Sequence, residues 1–237
     1  MAFFQNGLEA NFNVPEDLNN EQQTTDNEQQ TTINHQRTCP RIGITGGIGS
    51  GKTTVCQIFE TLGIPVYYAD DWAKWLISNE GDLKKGIVEI FGPEAYTPDG
   101  AYNRPFVAKV VFKNKQKLAA LNALVHPAVE HHSRSWHEAQ AVLGVPYTLK
   151  EAALIIESGS HQFLDFLIVV TAPEALRIQR VVQRDGVTEE QVLARMASQM
   201  SEVEKLALAD FVIVNDGTQA LIPQVWRIHR AILAKRL

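Results

Sequence analysis

The sequence is poor in cysteine, with two in 237 residues, Cys39 and Cys56. They support neither a disulfide framework nor a cysteine-rich metal site, and so small a number suits a reducing compartment. No apolar run approaches the roughly 20 residues that a membrane-spanning helix needs. The N-terminus also lacks a basic segment leading into an apolar stretch and a cleavage site. A cytoplasmic location without a membrane partner is therefore expected. Positive charge is not in excess, since 22 Lys and Arg face 27 Asp and Glu for a formal charge of −5. That balance argues against broad electrostatic binding to nucleic acid but leaves room for a local basic site. Nothing in the composition fixes an oligomeric state.

What remains is an ordinary globular balance, 45% hydrophobic and 21% charged, enough for one substantial α/β domain with an insert. Residues 1–40 stand apart: Asn19-Asn20-Glu21-Gln22-Gln23-Thr24-Thr25 is followed by the similar Asn27-Glu28-Gln29-Gln30-Thr31-Thr32. Such polar repeats bury too little to offset ordering, so a disordered tail is expected there and a folded domain over residues 41–237.

From Arg41 onward, short apolar segments alternate with helical periodicity, the pattern of a parallel sheet flanked by helices. Ile42–Thr45 reads as a strand, and Val55, Ile58, Phe59 and Leu62 as one buried helix face ended by Gly63. Ile64–Tyr68 reads as a second strand. Residues 72–140 read as a helical insert. Further strands are expected at Tyr147–Ile156, Phe166–Val170 and Phe211–Val214, making five in all. Between the last two, one helix opens at Pro173 and another at Thr188, where Gln191 completes a capping box.

Between the first strand and first helix stands Gly46-Gly47-Ile48-Gly49-Ser50-Gly51-Lys52-Thr53, a complete G-x-x-x-x-G-K-[ST] pattern in its required setting. The glycines let the backbone N–H groups of Gly47, Ile48, Gly49, Ser50, Gly51, Lys52, Thr53 and Thr54 converge on phosphate oxygens at a helix N-terminus. Lys52 would neutralise the β and γ phosphates of ATP, and the Thr53 hydroxyl would ligate Mg²⁺. No N-K-x-D-like motif accompanies it, which disfavours a guanine-nucleotide switch. A phosphotransferase and a nucleotide-gated binding protein remain.

Two readings fit Asp70, at the carboxyl end of the second strand: a carboxylate taking a proton from an acceptor hydroxyl, or a helix cap shared with Asp71. Arg177, Arg180 and Arg184 share one helical face, either above a polyphosphate or in solvent. Glu157 is expected at the end of the third strand and Glu151 at its beginning, with Glu157 the stronger of two carboxylates for Mg²⁺ or the acceptor. His126-Pro127 reads as a helix N-terminus with His126 as the cap. Trp72, Trp75 and Trp136 stack on a ligand or fill a core.

The string from Ile42 through Asp70 resembles the dephospho-CoA kinase family. The likeness continues in order through Asp99-Gly100, Asn103-Arg104, His126-Pro127, Glu157-Ser158-Gly159, Gln183-Arg184-Asp185, Gln199 and Asn215 to Gly217. The resemblance implies a P-loop NTPase-type α/β fold with a helical substrate-binding insert and a helical lid over residues 173–200. It implies transfer from ATP to the ribose 3′-hydroxyl of dephospho-CoA, with Mg²⁺. Lys52, Asp70 and Arg180 would be the catalytic residues, Arg184 would bind nucleotide, and Asp70, Leu154 and His126 would bind the acceptor. Tyr68 and Ala153 depart from frequent family choices, an acid and a proline respectively.

Overall fold

The molecule is described by a computed structural model covering residues 39–235. The expected tail, residues 39 and 40 apart, lies outside the described residues.

Strand β1 (Arg41–Thr45) buries Ile42 and Ile44 completely and hands the chain to the glycine-rich loop. Helix α1 (Lys52–Thr61) follows, with Val55, Cys56 and Phe59 turned inward and Gly63 in the left-handed conformation just beyond its end. Strand β2 (Val66–Tyr68) is short. The helical insert then comprises α2 (Ala69–Asn79), α3 (Gly81–Phe91), α4 (Arg104–Lys113) and the long α5 (Lys115–Val142). Strand β3 (Thr148–Glu151) and β4 (Phe166–Thr171) lead to α6 (Glu174–Asp185), α7 (Glu189–Met196) and α8 (Glu202–Ala207), and β5 (Phe211–Val214) leads to α9 (Leu221–Ala234).

All pairings are parallel, in the five-stranded order β2-β3-β1-β4-β5. A parallel sheet gathers the carboxyl ends of its strands on one edge, and the chain winds to both sides of β1. That edge carries the glycine loop, Asp70, Glu151 and Asn215. On one face, Ile42, Ile44, Leu149, Ile168 and Val170 pack against α1 and α9. Side chains alternate along β3, so Leu149 points to this face and Lys150 to the other, where α5 lies. The insert has its own core of Leu76, Leu83, Ile87, Phe91, Val107, Val125 and Val129. Among the described residues, no helix is long and apolar enough to cross a membrane.

Several boundaries differ from expectation. The third strand stops at Glu151, and residues 153–159 form a turn closed by Ser158 N–H donating to Leu154 C=O at 3.0 Å. Its apolar Ile155 and Ile156 are buried, at 0% and 5% exposure, so a packed turn imitated a buried strand. The helix near His126 begins earlier, at Lys115, capped by the Asn114 side chain, and runs through Pro127. Leu121, Val125 and Val129, spaced at one helical face, pack into the insert core and hold the helix through the proline. Finally, α2 starts at Ala69 rather than near Trp72.

Candidate active site

The glycine loop is shaped by close neighbours. Gly49 and Gly51 adopt φ of +80° and +93°, a region that costs a side chain strain. A Cβ on Gly49 would also meet the Arg177 carbonyl, and one on Gly51 the Asn215 amide. Ile48 N–H donates to Gln199 Oε1 at 3.0 Å, and Asn215 Nδ2 donates to the Ser50 carbonyl at 2.8 Å. Lys52 Nζ donates to the Gly46 carbonyl at 3.0 Å. Burial pulls the Lys52 ammonium below its ordinary pKa, with Glu151 opposing and the positive charge of Lys205 assisting. Thr53 and Thr54 are exposed in the first turn of α1.

The three arginines divide. Arg177 lies over Gly47, buried, in an ion pair with Glu202 at 3.2 Å, while Glu202 also accepts from the Thr171 hydroxyl. Arg180 donates to Gly49 C=O at 3.4 Å and to Asn215 C=O at 3.1 Å. Arg184 is turned to solvent, donating to Asp185 at 2.7 Å, and Arg195 reaches the same carboxylate at 3.1 Å. Of the three, Arg177 and Arg180 are brought to the loop and Arg184 is not. Arg184, one helical turn beyond Arg180, pairs with Asp185 instead of the cradle.

Buried donors without hydrogen-bond partners surround the loop: Ser50 Oγ, Arg177 Nε and Lys205 Nζ. Lys205, 1% exposed on α8, stands 3.1 Å from Glu157 Oε1 in an ion pair that leaves its Nζ without an aligned acceptor. Buried donors are rarely left unmatched, and several around one glycine loop describe a site built for anionic oxygens.

The other half of the site is an apolar cavity of about 220 Å³ whose polar lining is Asp70, Asn122, His126, Lys150, Ser158 and Ser160. Leu121, Leu154 and Ile155 supply part of its apolar wall. Asp70 is exposed at the second position of α2 and caps nothing, since Tyr68 occupies the cap position without a side-chain bond. Asp71 is engaged by Lys74 at 2.7 Å. The capping alternative for Asp70 is thereby removed. His126 faces this cavity from within α5 rather than from a helix start; burial and the neighbouring Lys150 both lower its pKa, favouring neutral imidazole. Trp72 and Trp136 join Tyr67 in the insert core, and Trp75 meets Trp72 edge-on at 5.6 Å while remaining half exposed.

Of the two carboxylates expected on the third strand, Glu151 lies on it and Glu157 in the turn beyond it. Glu157, in the turn, accepts from Met200 N–H at 2.9 Å and pairs with Lys205. Burial disfavours its ionisation, but those partners outweigh burial and hold its carboxyl below the usual range. Glu151 ends β3, level with Tyr68 and Ile44, in the electrostatic reach of both Lys52 and Asp70. Burial, against the pull of Lys52 and with Asp70 and Asp71 adding repulsion, pushes its carboxyl up to about 7. Sequence reasoning missed Glu202 and Lys205 altogether, although Ser201-x-x-Glu204 is a capping box that marks the start of α8.

The dephospho-CoA kinase family model matches residues 41–220. The dephospho-CoA kinase of Salinibacter ruber is 45% identical over 75% of this chain and 89% of its own. That of Bacteroides fragilis is 38% identical over 78% and 89%. Among solved structures, one from Thermus thermophilus is similar at a TM-score of 0.69 and 36% identity, covering 83% of this chain and 97% of its own. The dephospho-CoA kinase from Campylobacter jejuni superposes with a TM-score of 0.63 at 26% identity, covering 83% and 98%. With a phosphate cradle and an apolar cavity bearing Asp70 on one sheet edge, and with relatives matched over most of their length, the chain belongs to the dephospho-CoA kinase family.

Proposed function

We propose that this protein transfers the γ-phosphoryl group of ATP to the ribose 3′-hydroxyl of dephospho-CoA, producing coenzyme A. One observation carries the reading: the phosphate cradle and the Asp70 cavity open on the same sheet edge, with Lys52 and Glu151 between them. Donor and acceptor thus approach one another from two sides of a shared centre.

The N–H groups of residues 47–54 and Lys52 hold the triphosphate, and Arg180, already against Gly49, gathers charge on the transferring group. Asp70 accepts or orients the acceptor hydroxyl proton. Leu154 and His126 line the acceptor cavity, and Arg184 can reach nucleotide only by leaving Asp185. The insert from α2 to α5 serves as the acceptor-binding region, and α6 and α7 as the lid. Closing that lid expels water and protects the γ-phosphate from hydrolysis.

The residues suit Mg²⁺ brought in with the nucleotide. Among the described residues, no cluster of three or more His, Cys, Asp or Glu could hold a resident ion. The exposed Thr53 hydroxyl together with Asp70 or Glu151 offers the one or two protein oxygens that Mg²⁺ takes beside phosphates. When bound, the ion neutralises charge on the phosphate oxygens.

Mass spectrometry of MgATP and dephospho-CoA incubated with the protein tests the reading, with nucleoside monophosphates as control acceptors. Coenzyme A is the expected product. ATP hydrolysis with no coenzyme A would overturn the assignment.

A further inference from the structure

A charge cluster lies beneath the acceptor cavity. Glu130, on α5, accepts from Arg41 at 3.0 Å and from Lys150 at 2.5 Å. The side chains of Arg41, Glu130 and Lys150 are 16%, 15% and 8% exposed. Arg41 has a second acid beside it, Asp165, whose carboxylate accepts the Arg41 backbone N–H at 2.7 Å, whereas Glu130 is the acid that holds Lys150, and a buried cation is costly unless it is compensated. One cation would suffice to tie the insert helix to the sheet, and Arg41, on β1, already does so. Lys150 is the member that lines the cavity, beside His126 and on the same wall system as Asp70.

Its orientation follows from the strand. Glu151 points to the α1 face near Lys52, so Lys150, one residue earlier, must point to the insert face, where the acceptor cavity lies. An ammonium has three donors, and the bond to Glu130 takes one. Glu130 therefore fixes Lys150 in place without exhausting it. Burial and Arg41 depress the Lys150 pKa while Glu130 opposes them.

Resting on the function proposed above, we propose that Lys150 is a specificity-determining residue that receives the 5′-diphosphate of the acceptor. With the ribose 3′-hydroxyl at Asp70, the diphosphate on the same nucleoside falls inside the same cavity, where Lys150 is the cation held ready. The residue would separate phosphorylated acceptors from plain nucleosides, leaving the transfer step to Lys52, Asp70 and Arg180.

The test compares dephospho-CoA with adenosine, which offers the same 3′-hydroxyl and no phosphate. In Lys150→Met, KM for dephospho-CoA should rise about tenfold or more, as expected for a lost charge-assisted bond, while KM for ATP changes less than about twofold. The ratio of kcat/KM for dephospho-CoA over adenosine should fall by a similar factor. Lys150→Arg should recover most of that ratio. Equal losses on both acceptors, or an unchanged ratio, would overturn the proposal and leave the cluster a structural tie. If Lys150→Met melts far below wild type, the pair Glu130→Gln with Lys150→Gln keeps hydrogen bonding without an orphaned acid and is read the same way. Wild-type protein inactive on dephospho-CoA would instead remove the functional reading on which the proposal stands.

Discussion

Glu151→Gln changes one atom type in the most confined carboxylate of the site, and its effect can be worked out in advance. The wild-type carboxyl is pushed from 4.5 to about 7 by burial, by Asp70 and by Asp71, against the attraction of Lys52. The folded state therefore holds the proton more tightly than the unfolded state does. Its contribution to stability is complete below about pH 4.5 and disappears as pH rises through about 7. A shift of two to three pH units corresponds to about 3 kcal/mol at 1.36 kcal/mol per unit. Glutamine has the same shape and no proton to lose, so the variant escapes this decline. Urea unfolding followed by tryptophan fluorescence, without nucleotide, at intervals from pH 4.5 to 8.5, reads the difference directly. The two proteins should be close in stability at the acid end. At pH 8 the variant should be the more stable by up to about 3 kcal/mol. Parallel stability curves across the whole range would refute the reasoning and show that Glu151 is hydrated in solution.

Three other substitutions bear on the site. Asp70→Asn should lower kcat by about 100-fold or more while KM for ATP stays within about threefold, measured by coupled steady-state assay; a matched loss of both would assign Asp70 to nucleotide binding. Arg180→Ala should slow transfer by on the order of 10²-fold in single-turnover experiments. Its melting temperature should fall only modestly, because its contacts to Gly49 and Asn215 are at 3.1–3.4 Å and part-buried. Gly49→Ala forces a side chain into φ +80° against the Arg177 carbonyl. It should cost about 1–3 kcal/mol of stability or of nucleotide affinity, checked by thermal melting and calorimetric titration.

Much of this architecture was legible because its signals are local. The glycine loop with Lys52 fixes strand, turn and helix together, and the apolar spacing of Val55, Ile58, Phe59 and Leu62 names the face that α1 buries. The position of Asp70 at a strand's carboxyl end likewise follows from short-range pattern. What escaped was decided by long-range packing. The apolar Ala152–Ile156 run satisfied strand propensity, yet the chain turns because Ile155 and Ile156 fill a small core with Leu167 and Val169. That turn moved Glu151 to the catalytic edge and Glu157 toward Lys205. Pro127 gave a local break signal that the packed face of α5 overrides. Helix α8 is six residues long, too short for periodicity to reveal, and its Lys205 acquires meaning only from Glu157, far away in sequence.

The bond between Asn215 and Ser50 closes a separation of 165 residues. A ribosome making this protein emits the glycine loop long before Asn215. Strand β5 and the lid arginine's anchor arrive in the same later stretch. The brace of the loop is thus made well after the loop itself, and a nascent chain stopped before β5 carries the whole phosphate motif without the partner that braces it.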